Sequence, residues 1–386
     1  MKSASLEIGF IRKCAAFLLL FLSLQSNSAV KATEPKEPGT AEPQSIMLAL
    51  LLDTSNSMDG LIEQAKSQLW KIVNELAMAK CETGAKPRIM ISLYEYGNDR
   101  LPSGEGYIRQ VSPLTDDLDL ISEKLFSLTT NGGNEFCGHV IRTSLRQLEW
   151  PASKADLKMI FIAGNEPFTQ GEVPYTLACA LAREKDVIVN TIFCGDFNEG
   201  IRTDWKAGAE LTGGNYMSIE QNSKTVYIPT PYDQRIDALN DDLNKTYIYY
   251  GRQGASKKEL QSAQDRNAEG YGQSNKVERA ISKSTHAYKN SSWDLVDAAR
   301  ENEKVVAETK EEELPVEMKG MSEDQRKSYV KQKAAQRESI QKEIQTLSIK
   351  RQEYIVANTP QSDNKQLDAA MIRAIKAQAS TKKLRW

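Results

Sequence analysis

The chain has 386 residues, 26% of them charged, and a formal net charge of −2. That length holds two domains, or one large domain with an appendage, and the mean hydropathy of −0.52 excludes a chain built mainly of membrane spans. The charge is uneven: residues 33–250 carry 20 Lys/Arg against 31 Asp/Glu, whereas 251–386 carry 26 against 20. Solvated helix faces explain the basic tail, and the alternative is an arm that touches the acidic half or an anionic surface. Nothing in it resembles a nucleic-acid module.

The first 32 residues read as a targeting segment. Lys2, Arg12 and Lys13 precede the apolar run Ala15 to Leu24, and small residues follow at Ser26, Ser28, Ala29 and Ala32. This is the three-part layout of a secretory signal peptide, and about ten apolar residues are too few to span a bilayer. The mature chain is expected to begin near Ala29 or Thr33 and to be exported, to a periplasm or out of the cell. Residues 33–44, with three prolines and no periodicity, read as a flexible leader.

Ile46 to Leu52 is a nearly continuous apolar run with the length of a strand buried on both faces. It ends in Asp53-Thr54-Ser55-Asn56-Ser57, and an amphipathic helix is predicted over 60–79. Strands are expected at Arg88 to Tyr96, at Tyr107 to Val111 (on an edge), at Leu157 to Ala163, at Val187 to Cys194 and at Asn215 to Ile219. Helices are expected at Asp117 to Leu128, Gly138 to Leu148, Tyr175 to Arg183, near Trp205 to Leu211, and at Pro231 to Tyr249. Strands alternating with helices argue for an α/β fold, an open and mostly parallel sheet with helices on both faces. Ligands of such sheets bind at the C-terminal edge of the strands, near the switch in strand order.

The Asp53 loop is the most informative stretch. A carboxylate and two hydroxyls at alternate positions, on a tight loop at a strand end, supply the oxygen ligands that Mg²⁺ or Ca²⁺ prefers. Here the chain resembles the von Willebrand factor type A (vWA) domain, whose metal-ion-dependent adhesion site opens with Asp-x-Ser-x-Ser. The resemblance covers residues 45–250 and implies a vWA/Rossmann-like sheet. It also implies metal ligands on three loops, of which the first matches at Asp53, Ser55 and Ser57. The other two depart from the pattern. Asn134 and Glu135 follow Gly132-Gly133 where a Thr is usual, and Gly164-Asn165-Glu166 stands where Asp-Gly is usual.

If Glu135 and Glu166 turn inward with Asp53, three carboxylates face one point. A like-charge pair at about 4 Å costs about 4 kcal/mol at an effective dielectric of 20, so such a cluster needs a cation or a proton. The competing reading is a scaffold that has lost its metal and keeps Asp53 and the serines for loop hydrogen bonds. Thr129 or Thr130 is a substitute for the missing Thr if the loop is threaded differently.

Residues 251–386 change character. Gly251 to Lys283 is polar, Trp293 to Ala298 starts a short helix, and Ser322 with Gln325 forms a capping-box candidate. The helix it starts runs to about Ala357, and a last helix covers Gln366 to Ala379. Together they predict a charged, mainly helical region, a hairpin or small bundle separate from residues 45–250.

Four cysteines fall after the targeting segment: Cys81, Cys137, Cys179 and Cys194. In an oxidising compartment they allow one or two disulfides in any of three full pairings, against the alternative of four buried thiols. We expect at least one bridge, using Cys137 with Cys194 or Cys179 nearby, and Cys81 as the free thiol.

For function, the sequence points to a non-catalytic, exported protein-binding module. It would recognise another protein at the C-terminal sheet edge, through a cation completed by an acidic side chain of the partner. The alternative is an envelope structural or assembly factor whose helical C-terminal region carries the interaction. His139 is the single histidine near the loops that could serve Ser55 or Ser57 as a base, and we expect no enzyme.

Overall fold

A computed structural model describes residues 44–220, 222, 227–358 and 367–386. The targeting segment and residues 33–43 of the leader lie outside the described residues. Six strands form one sheet: β1 (Ser45–Asp53), β2 (Arg88–Tyr96), β3 (Ile108–Thr115), β4 (Leu157–Gly164), β5 (Ile188–Phe193) and β6 (Tyr216–Ser218). Their order is β3-β2-β1-β4-β5-β6. All neighbours run parallel except the edge strand β3, which is antiparallel to β2.

Every residue of β1 is buried, and its side chains divide by parity. Ile46, Leu48, Leu50 and Leu52 enter one core, while Ala49 and Leu51 enter the other. The first core is covered by α1 (Asp59–Met78), α2 (Leu118–Phe126) and α7 (Asp233–Asn244). The second is covered by α3 (Cys137–Gln147), α4 (Tyr175–Glu184) and α6 (Trp205–Glu210). The chain winds outward from β1 through β2 to β3, then returns to β4 on the other side of β1. The switch in strand order therefore lies between the C-terminal ends of β1 and β4. A short helix, α5 (Phe197–Arg202), capped by the Asp196 carboxylate, was not expected from sequence.

The C-terminal region is helical: α8 (Gly254–Gly270), α9 (Gln273–Lys283), α10 (Leu295–Glu301), α11 (Val305–Glu308), α12 (Glu323–Asn358) and α13 (Leu367–Ala379). It is not a separate body. From residue 44 on, the described residues form one unit, and the packing runs across the expected boundary at residue 250. Val277, Ala280 and Ile281 of α9 and Ala370, Met371, Ala374 and Ile375 of α13 share one core with α1. Nor do α12 and α13 pair as the expected hairpin dominated by its own core: α12 packs along α7, α9, α10 and α11, and α13 packs on α1 and β4.

Buried ion pairs make this packing possible. Arg279 donates to Asp265 (2.9 Å) and pairs with Asp119 of α2 (2.6 Å), and Lys283 reaches Asp265 at 2.8 Å. Arg351 of α12 binds Asp233 of α7 and Glu278 of α9 at 2.8 and 2.7 Å.

The expected disulfide is not formed: Cys81, Cys137, Cys179 and Cys194 are all free and buried. Two of the thiols lie against polar atoms. Cys137 sits 3.8 Å from the Tyr96 hydroxyl, and Cys179 donates to the Gly208 carbonyl on α6 at 3.4 Å. Cys194, directly after β5, donates its amide to the Gly164 carbonyl.

Candidate cation and partner site

The site begins where β1 runs out. Asp53, fully buried, turns its Oδ1 onto the Ser55 amide at 2.7 Å, the short-range bond that aspartate favours in a tight turn. The turn places Ser55 Oγ 3.2 Å from Ser57 Oγ, and Ser57 donates to Asn165 Oδ1 at 3.4 Å. Asn165 follows β4, so the first and third loops meet directly. The second loop arrives through backbone bonds: the Asn131 amide donates to the Thr54 carbonyl, and the Glu135 amide donates to Gln170 Oε1 at 2.7 Å.

Asp53 and Glu135 meet beneath these loops, close enough for each carboxylate to shift the other. Glu135 is only 3% exposed. Burial raises the Asp53 carboxyl well above the carboxylate range. The proximity and the charge of Glu135 add to the rise, and the Ser55 amide and hydroxyl oppose it. Burial also raises Glu135, while Asp53 and the Ser55 hydroxyl pull it down and the Glu166 charge pushes it up. Burial and their mutual repulsion both disfavour the doubly charged pair. Even so, Asp53 Oδ2 and Glu135 Oε2 are buried without a hydrogen-bond partner.

Glycines make room for this pair. Gly97 (φ +79°) follows β2, and a Cβ there would lie 2.8 Å from both Asp53 Oδ1 and Glu135 Cγ. A Cβ on Gly164 would lie 2.5 Å from the Tyr96 hydroxyl. That hydroxyl donates to the Ala163 carbonyl at 3.0 Å and walls the pair from below.

Of the residues expected at the site, Asp53, Ser55 and Glu135 come together in the interior and Ser57 joins them at the surface. Asn134 and Glu166 do not: both are exposed. The convergence of three carboxylates is therefore corrected to two. Among the described residues, no group of three or more His, Cys, Asp or Glu is set to hold a metal. The physical reason is local. The Glu166 carbonyl is held by Trp205 Nε1 at 2.8 Å, Pro167 follows, and the side chain is left in solvent.

Neither threonine substitutes for the missing ligand. Thr129 Oγ1 accepts from Arg100 at 3.4 Å, and the Thr130 hydroxyl is taken by the Asp59 carboxylate. Tyr96, Gly97, Asn98 and Gln170 shape the site and were not singled out from sequence. The polar Gly97-Asn98 step directly after an apolar strand was their one visible signal. His139 packs against Gly106, whose added Cβ would fall 2.3 Å from its Nδ1, and burial lowers its pKa.

The donor set passes the test for a small hard cation in one respect. It is all oxygen, two carboxylates and two hydroxyls, with two buried carboxylate oxygens lacking any other partner. It differs from an Asp-Ser-Ser-Thr-Asp set in that the second carboxylate comes from the second loop, not the third.

Strand order, the antiparallel edge and the loop cluster at the switch point define a vWA-like α/β sheet protein with a helical C-terminal region. No family model matches the chain, and no curated protein matches it. Among solved structures, the conserved hypothetical protein BatB from Bacteroides thetaiotaomicron is 17% identical, with a TM-score of 0.35, over 46% of this chain and 92% of that one. The SpRpn10 VWA domain is 18% identical, with a TM-score of 0.35, over 45% and 88%. Proximal thread matrix protein 1 from the mussel byssus, with a zinc-occupied MIDAS motif, is 13% identical with a TM-score of 0.34 over 46% and 42%. Likeness at this level does not bear on function, and the fold assignment stands on the strand order itself.

Proposed function

We propose that this chain is a non-catalytic, exported protein-binding module that engages another protein at the C-terminal edge of its sheet. In this reading Asp53, Ser55, Ser57 and Glu135 hold Mg²⁺ or Ca²⁺, and the exposed Asn134 and Glu166 lie at the rim where a partner docks. The observation that carries it is the pair of orphaned buried oxygens, Asp53 Oδ2 and Glu135 Oε2, at the strand-order switch. A bound divalent cation supplies the positive charge that two buried carboxylates otherwise obtain only from a proton. Because both carboxylates belong to the chain, an acidic partner side chain gains less from the ion than at a site with one. Partner binding accordingly depends less on the cation than it would at an adhesion-type vWA site. The export signal is the N-terminal layout of Lys2, Arg12, Lys13 and the apolar run. Among the described residues, no helix is long and apolar enough to cross a membrane.

Calorimetry and thermal shift with Mg²⁺ and Ca²⁺ test the cation. Wild type should be stabilised at millimolar ion, by about 2.7 kcal/mol at a hundredfold excess over Kd. Asp53→Asn should abolish the effect and Glu135→Gln should weaken it at least tenfold. No heat and no shift in wild type would leave the loops as a scaffold. The second reading, an envelope assembly factor acting through its C-terminal region, is favoured by one observation. Ile349 and Val356, a heptad apart on α12, are 64% and 66% exposed. Capture of the same partner by Asp53→Asn but not by an Ile349→Glu/Val356→Glu variant would select it.

A further inference from the structure

We propose that the cavity at the opposite, N-terminal edge of the sheet is a second binding site, for a small organic oxyanion with an apolar body. The cavity encloses about 550 Å³, within the range of small-ligand sites. One wall is the entry to β2, from Lys86 to Ile89, and the other is the turn at 286–293 between α9 and α10. Ser45 pairs with Arg88 and Asp53 with Tyr96. At the rise of a strand, roughly 26 Å therefore separates this cavity from the Asp53 site.

Its charges are unevenly used. The two aspartates of the wall are spoken for: Asp116 accepts from Arg88 at 3.0 and 2.8 Å, and Asp117 pairs with Lys257 at 2.7 Å. The ammonium groups are not. Lys289 is exposed and has no ion pair or hydrogen bond among the described residues, and Lys86 donates only to the Ala77 carbonyl at 3.3 Å. Glu301 is an exposed acid at the rim, where solvent and salt screen it.

The turn beside Lys289 adds neutral donors. The backbone amides and hydroxyls of Ser291 and Ser292 find no acceptor among the described residues. The turn itself is firmly held. The Asn290 amide donates to Asp297 Oδ2 at 3.0 Å, its side-chain oxygen accepts from Trp293 Nε1 at 3.0 Å, and its carbonyl takes the amides of Trp293 and Asp294. His286 Nε2, 3.1 Å from the Pro87 carbonyl, ties it to β2. A rigid turn with free N–H, O–H and ammonium donors is preorganised for an anion, because little ordering is left for binding to impose. Ile89 and Trp293 supply an apolar floor. The head group, carboxylate or phosphate, lies on Lys289 and the two serines, with Lys86 opposite, and the body covers the floor.

The full chain is titrated by calorimetry with phenyl phosphate and with benzoate. Inorganic phosphate and sodium chloride at matched ionic strength are the controls. The expected result is saturable binding of at least one aromatic anion, tenfold or more tighter than inorganic phosphate. Binding of phenyl phosphate alone assigns a phosphate head group, and binding of benzoate alone assigns a carboxylate. Lys289→Gln should weaken binding at least tenfold while leaving the thermal midpoint of the free protein unchanged, and Ser292→Ala should weaken it less. Asp53→Asn should leave it intact, which separates this site from the sheet-edge function. No saturable binding of either anion, binding matched by sodium chloride, or binding that survives Lys289→Gln overturns the proposal.

Discussion

Arg337 ties α12 to the Thr246 backbone after α7 and to the two aspartates at the start of α10. It is 1% exposed and donates to Asp294 at 2.6 and 3.1 Å, to Asp297 at 2.8 Å and to the Thr246 carbonyl at 2.7 Å. Its guanidinium stacks over Tyr247, 4.1 Å from the ring centroid. Removing one member of a buried pair costs about 3–5 kcal/mol, because the other charge stays buried without compensation. Arg337→Ala should lose that much unfolding free energy in urea, and Arg337→Lys should not restore it, since an ammonium cannot make the forked contacts. Asp265 shows the same logic with a pH signature. Burial alone would raise its carboxyl, but Lys283 and Arg279 outweigh burial and hold it well below the usual range. The native state therefore binds this proton less readily than the unfolded one. Its stabilisation is present above the unfolded pKa of about 4 and is lost as pH falls through the lower native value. Urea titrations over a pH series should show stability declining below about pH 4, and Asp265→Asn should be less stable at pH 7 with a flatter acid limb.

Helix ends decide how the elements join. The capping box that starts α12 is formed in both directions: Gln325 N–H donates to Ser322 Oγ at 3.3 Å, and Ser322 N–H donates to Gln325 Oε1 at 2.8 Å. Ser322→Ala should cost about 1 kcal/mol, read as a lower thermal midpoint, because the Gln325 amide at the helix start loses its acceptor. The start of α13 is capped from outside its own sequence. Gln64 and Gln68 of α1 accept the amides of Leu367 and Asp368 at 3.1 and 2.8 Å, and Lys71 pairs with Asp368 at 2.5 Å. Polar residues on the buried face of α1 thus serve as the socket for the last helix.

At the scale of the whole molecule, the tail completes the sheet domain. α9 and α13 both pack against α1, and α13 also reaches the sheet, where Gln378 meets Asn190 of β5. Beyond α13, the backbone at Arg385 bridges Lys80, and Trp386 Nε1 donates to the Glu75 carbonyl at 2.9 Å. A chain cut after residue 250 would expose the partners of Met371, Ile375 and Ile281 to water, at about 1.5–3 kcal/mol for each such side chain left unburied. It would also strand Asp119 without Arg279. The expected outcome is aggregation in size-exclusion chromatography and loss of a cooperative melt, where the full chain melts cooperatively. A soluble, cooperative fragment would show that residues 45–250 are self-sufficient.

The sequence by itself determined what is written locally. Arg88 to Tyr96 carries its own strand signal and forms a strand with those bounds; Ser322 and Gln325 announce the start of α12; and Asp53-x-Ser55-x-Ser57 places the loop at the switch point. Apolar periodicity and capping are properties of neighbours along the chain, so they are legible there. Only the tertiary structure decided the rest. α8 and α9 escape the apolar pattern because their buried faces include Gln261, Gln264, Asn275, Arg279 and Lys283, and such residues are stable inside only once their distant partners arrive. Glu135 turns inward and Glu166 outward because Gln170 and Trp205 hold their backbones, contacts no local pattern records. The cysteines stay unpaired, and the tail becomes part of the core, for the same reason: each depends on which surfaces meet, and that is settled by long-range packing and charge pairing.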